Sequence, residues 1–196
     1  MGRPPAAEAK RADIMDAALR LFRARGIRAT TIRDLAAAAG VTSGALYRHY
    51  PGKTELAQAV FATCAERLGE ALRPAADGED PRAALRALIR ALLEFSRQEP
   101  LAYGFLMERH EEEVQRAEPG RELPKDFFER TIRAGVQQGV FPAQDVNLAA
   151  ALVIGMAQRA IFFYDRGMVE SSWEETAARV ADAAVTVIGE VGKGVQ

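Results

Sequence analysis

Residues 30–53 read TTIRDLAAAAGVTSGALYRHYPGK. The stretch divides into two short helical segments meeting at Gly40. Thr30 or Thr31 stands in front of the first, Ile32 to Ala39, and Asp34 lies three residues past Thr31 in capping-box spacing. Thr42 or Ser43 opens the second, which runs to Tyr50 and is stopped by Pro51-Gly52. Leu35, Ala36, Ala39, Val41 and Leu46 form the apolar side of the pair. What remains of the second segment is hydroxyls, a glycine, a small residue, aromatics and cations. Such a surface is poorly suited to a core and well suited to lying against phosphates and base edges.

Helix, glycine turn, helix is the arrangement in which the second helix enters the DNA major groove. The small residues Ser43, Gly44 and Ala45 let the backbone approach a duplex closely, and Tyr47, Arg48 and His49 project beyond them. Lys53, at the start of the next helix, is placed to clamp a phosphate. Arg33 and Arg48 are the candidates for guanine, because a guanidinium bonds O6 and N7 together. Each residue has a plainer reading. Tyr47 could close the core of the head, His49 could be a solvated helix-end histidine, and Tyr50 reads as core rather than contact.

Charge follows the same division. Residues 1–53 hold ten Lys/Arg against four Asp/Glu, and residues 54–196 hold sixteen against twenty-three, so a net charge of −1 conceals a basic head and an acidic body. Phosphate attraction acts over roughly 10 Å, so local charge matters more than the total.

Outward from this stretch, Ile14, Ala17, Ala18, Leu21 and Phe22 give a helix over 10–25, which Gly26 ends. A long helix runs from Thr54 to Arg73, before the Pro/Gly/acidic segment 74–81. Further helices are expected at 82–98, 101–117, 124–138, 145–167 and 173–191. The expected fold is all-α, about nine helices, with a three-helix head over 1–53 and a larger helical bundle over 54–196.

Two histidines and one cysteine offer no metal cluster, and there is no Gly-rich phosphate loop or nucleophile elbow, so neither cofactor nor enzymatic activity is expected. Cys64 reads as a buried apolar residue in a reducing compartment. The N-terminal residues lack an apolar signal core, and the longest unbroken apolar run, Leu148 to Ala157, has ten residues, so a cytoplasmic protein without a membrane span is expected.

Residues 11–56 closely resemble the TetR family of bacterial repressors. The shared features are ALRLF (Ala18–Phe22), Gly26, Thr30-Thr31-Ile32, DLAAAAGV (Asp34–Val41), Ser43-Gly44-Ala45-Leu46-Tyr47, His49-Tyr50 and Lys53-Thr54-Glu55-Leu56. Tyr50 stands where phenylalanine is commoner, and Pro51 replaces the usual small polar residue. The resemblance implies an all-helical homodimer that binds double-stranded operator DNA and carries a small-molecule effector in its C-terminal body. By position, it implies DNA contacts from Thr31 and Arg33 on the second helix, from Thr42, Ser43, Gly44, Ala45, Tyr47, Arg48 and His49 on the third, and from Lys53 on the fourth.

In the body, the helix at 145–167 is apolar on two sides, with Leu148, Leu152, Gly155, Met156, Arg159 and Phe162/Phe163 on one and Val153, Ala157, Ala160, Ile161 and Tyr164 on the other. A dimer interface is expected from Val153, Ala157, Ile161, Tyr164, Val180, Ala184 and Val187 of the last two long helices. A mainly apolar effector is expected against Phe95, Tyr103, Leu106, Met107, His110, Phe127, Met156, Arg159 and Phe163. The implied activity is ligand-released repression at a palindromic operator. An activator, or a regulator without a small ligand, is the alternative.

Overall fold

The computed structural model describes residues 6–114 and 122–190. Among them are nine helices: α1 (Ala6–Ala29), α2 (Ile32–Ala38), α3 (Ser43–His49), α4 (Lys53–Ala76), α5 (Pro81–Gln98), α6 (Pro100–Val114), α7 (Pro124–Gln137), α8 (Val146–Asp165) and α9 (Trp173–Glu190). No strand occurs among the described residues.

The chain forms two compact units, residues 1–65 with 99–119 and residues 66–98 with 120–196. In the first, α1 packs against α2 and α6, and α2 against α3. Its core holds Ile14, Ala18, Phe22, Leu35, Leu46, Leu56 and Val60. Phe105 of α6 stacks on Phe22 with ring centroids 6.1 Å apart, and Arg23 pairs with Glu108. Glycine at 104 leaves room for that pairing: a Cβ there would lie 2.6 Å from the Arg23 guanidinium.

In the second unit α5 packs against α7, α8 and α9, and α8 against α7 and α9. Leu85, Leu88, Ile89, Leu93, Phe127, Phe128, Ile132, Val153 and Ile188 fill its centre. Arg73 and Arg130 both lie over the Phe127 ring, and both reach Glu122.

Three local readings change. Helix α1 is interrupted rather than ended at Gly26, whose φ of 76° is open to glycine but strained for other residues, and a further turn follows to Ala29. Helix α4 starts at Lys53, one residue before Thr54, and runs past Pro74 to Ala76. Helix α8 is long and apolar enough to cross a membrane by length and composition, but its inner face, Ala149, Ala150, Val153, Ala157 and Ile161, is buried in the bundle. Cys64 is buried, as its apolar neighbours suggest.

Candidate nucleic-acid interface

The reading surface rests on two capped helices. Thr31 is the N-cap of α2: its hydroxyl accepts from the Asp34 amide at 3.1 Å, while the Asp34 carboxylate accepts from the Thr31 amide at 3.0 Å and its hydroxyl at 2.7 Å. These bonds use both the acceptor and the proton of Thr31, and they hold the Asp34 carboxyl below its ordinary 3.8, the hydroxyl bond contributing most. The other end of α2 closes as a Schellman turn, with Val41 N–H donating to Ala36 O at 2.9 Å and Gly40 N–H to Ala37 O at 3.2 Å. Gly40 takes φ 63° there, which is why glycine divides the two helices.

Thr42 caps α3 by accepting from Ala45 N–H at 3.1 Å, a bond that leaves its own hydroxyl proton uncommitted. Leu46 is fully buried and turns the helix onto the core. Tyr50, just past the end of α3, is also buried. Its hydroxyl accepts from Arg11 Nε at 3.1 Å and donates to Met15 Sδ at 3.2 Å, so the C-terminus of α3 is held to α1.

With Leu46 and Tyr50 turned inward, the rest of α3 faces out. Tyr47 is 52% exposed, Arg48, His49 and Gly44 are exposed, and Ser43 and Ala45 are half-buried. Arg33 on α2 is exposed as well. Helix α3 contains no acidic residue. A surface of guanidinium, imidazole and phenol with no carboxylate of its own can donate to phosphate oxygens and to the acceptor edge of guanine. The core reading of Tyr47 does not fit its exposure, whereas Tyr50 is core.

Lys53, at the start of α4, is half-buried. Its ammonium donates to the carbonyls of Thr30 at 2.8 Å and Arg28 at 3.0 Å. Neither spacing nor composition signalled this, because backbone acceptors carry no residue signature.

The body residues fall differently from the sequence expectation. Val153, Ala157, Ile161 and Ala184 are at most 2% exposed in the single chain, so their side chains are not available to a second one. Val180 and Val187 are half-buried, as is Tyr164, whose ring meets Trp173 edge-on at 4.8 Å. The exposed stripe of α8 is the other one: Leu148, Leu152, Phe162 and Phe163, between 37% and 55% exposed. Arg159 and Arg166 both lie over Phe162. Periodicity reveals two apolar stripes but not which one the bundle covers.

The expected effector residues are divided as well. Phe95 and Phe127 are buried in the second unit, while Arg159 and Phe163 are exposed and Met156 half-buried along the outer side of α8. Tyr103 and Leu106 are buried on α6 in the first unit, and Met107 is half-buried. The His110 side chain lies outside those described.

Comparison with known proteins agrees with this geometry. Residues 14–60 match the family described as bacterial regulatory proteins, tetR family, and residues 78–188 match the tetracyclin repressor-like C-terminal domain. The HTH-type transcriptional repressor KstR2 of Rhodococcus jostii is 33% identical over 165 residues, covering 81% of each chain. The HTH-type transcriptional regulator TtgR of Pseudomonas putida is 40% identical over 85 residues, 42% of this chain and 40% of its own. Among solved structures, the TetR family transcriptional regulator PfmR from Thermus thermophilus is 26% identical with a TM-score of 0.69, over 88% of this chain and 97% of its own. A transcriptional regulator from Pseudomonas aeruginosa shares the fold with a TM-score of 0.77 at 18% identity, over 97% and 94%. The capped, outward-facing α3 and the match over both parts of the chain lead to one conclusion: this protein belongs to the TetR family of DNA-binding transcriptional regulators.

Proposed function

We propose that the protein is a homodimeric repressor that leaves a palindromic operator when a mainly apolar small molecule binds its body. The observation that carries the DNA part is the disposition of α3: Leu46 and Tyr50 buried, Tyr47, Arg48 and His49 exposed. Residues 1–53 serve as the reading head and 54–196 as the effector and dimer region. Arg33 and Arg48 read bases; Thr42, Ser43, Gly44, Ala45, Tyr47 and His49 meet the backbone. Thr31 contributes its position more than its hydroxyl, which Asp34 already occupies.

The dimer reading is supported by the outer stripe of α8, a run of large apolar side chains of the kind that marks an interaction surface. In a dimer with two-fold symmetry the two α3 helices would lie one helical turn apart, about 34 Å, and the operator would be palindromic. An effector that favours a different head separation lowers DNA affinity through a coupling of about 1–3 kcal/mol. The Rhodococcus jostii relative is named a repressor, which supports this direction of regulation. Such a protein works in the cytoplasm, where its operator is.

The test is selection of duplexes from a random-sequence pool, followed by mobility shifts on those enriched. A palindrome with half-sites one turn apart, released by an apolar metabolite fraction, is the expected outcome. Arg48→Ala is expected to cost about 1–3 kcal/mol and to relax preference at one base position. Enrichment of sequences without two-fold symmetry would remove the operator reading. Increased transcription from the same promoter on adding the protein would make it an activator.

A further inference from the structure

The sequence places Lys53 as a phosphate clamp; its bonds point to a different duty. Its ammonium donates to the Thr30 carbonyl at 2.8 Å and the Arg28 carbonyl at 3.0 Å. Arg28 lies in the last turn of α1 and Thr30 in the link to α2, both beyond the break at Gly26. The last carbonyls of a helix have no partner of their own, and a lysine there satisfies them and meets the negative end of the helix. A second bond fixes the same segment from inside: Thr30 is wholly buried, and its hydroxyl donates to Gly26 O at 2.8 Å. The next residue, Thr31, is the N-cap of α2 and carries the Asp34 capping box.

The chain of contacts is therefore continuous. Lys53, the first residue of α4, holds Arg28 and Thr30; Thr30 adjoins the Thr31 cap; Thr31 sets the start of α2, and α2 carries Arg33. We infer that Lys53 is a positioning residue, tying the start of α4 to the start of α2, so that DNA recognition depends on its hydrogen bonds to backbone and not on neutralising a phosphate. Two of its three protons are already directed at carbonyls. Helix α4 also continues from the first compact unit into the second. The tie thus joins the DNA-contacting helix α2 to the helix that leaves the head.

The inference rests on the DNA-binding reading, and its test separates the two. The full chain and its Lys53→Met and Lys53→Gln variants are titrated with a duplex enriched by the wild-type protein, over a series of salt concentrations. Because binding releases counterions, the plot of log affinity against log salt becomes shallower by about 0.9 for each phosphate the protein ceases to neutralise. For a positioning residue, Lys53→Met weakens binding about tenfold with the slope unchanged. Lys53→Gln, an uncharged donor one atom shorter, recovers part of the affinity. In DNA-free protein, hydrogen exchange at the Asp34 and Leu35 amides quickens in Lys53→Met and less so in Lys53→Gln.

A slope reduced equally in both variants overturns the inference and restores the phosphate clamp. Unchanged affinity, or unchanged exchange at α2, overturns it too. If Lys53→Met does not fold, Lys53→Gln still decides through its slope. If the wild-type protein enriches no duplex, the DNA reading fails, while the exchange measurement still reports on the tie.

Discussion

Asp34 shows how much a single short side chain does in the head. Its carboxylate accepts from both the amide and the hydroxyl of Thr31, and its own amide is capped in return. These bonds favour the charged form and hold its pKa below 3.8. A carboxyl depressed by folding contributes stability above its unfolded pKa and loses that contribution as pH falls through the folded value. Wild type should therefore melt above Asp34→Asn at neutral pH, and the gap should close as the pH drops below 3.8. Melting curves across acidic pH check this; a gap independent of pH would show that the charge contributes nothing. This residue was legible in the sequence, because a capping box has fixed spacing. Lys53 was not, since its partners are carbonyls that any residue could supply.

Elements were nearly as legible as their caps. Thr31, Gly40 and Thr42 bound α2 and α3 where their chemistry places them, because caps and positive-φ glycines act within a few residues. Helix α4 passing through Pro74 was not legible. Proline removes one amide and crowds the preceding turn, a penalty that packing elsewhere along a long helix can outweigh.

Helix α7 gives an element-scale prediction. Gly135 is buried in that helix, and a Cβ there would collide with the Phe141 ring and lie 3.1 Å from Pro81 Cβ. In an open helix, alanine for glycine would gain up to about 1 kcal/mol. Here Phe141 is only 2% exposed and has nowhere to swing, so overpacking wins. Gly135→Ala is expected to lose about 1–3 kcal/mol in urea unfolding. A stabilised variant would mean that the ring moves freely.

At the scale of the whole molecule, the outer stripe of α8 is where the proposed dimer can be tested. Leu152 is 43% exposed, so little of its own subunit depends on it. Leu152→Glu places a carboxylate where an isologous interface would bury it twice. The variant is expected to sediment as a monomer at concentrations where wild type is a dimer, with unchanged helical circular dichroism. Equal sedimentation of the two would move the interface away from this stripe.

The sequence by itself determined the helix order, the capped pair around Gly40, the basic head and the family. All of these are written in contacts between neighbours in the chain or in residue chemistry. Only the tertiary structure decided that Val153, Ala157, Ile161 and Ala184 face inward while Leu148, Leu152 and Phe162 face out. It alone placed Lys53 on the carbonyls of Arg28 and Thr30. The physical reason is common to both: an apolar stripe or an ammonium specifies what kind of neighbour it needs, and only the packing of distant helices supplies which one.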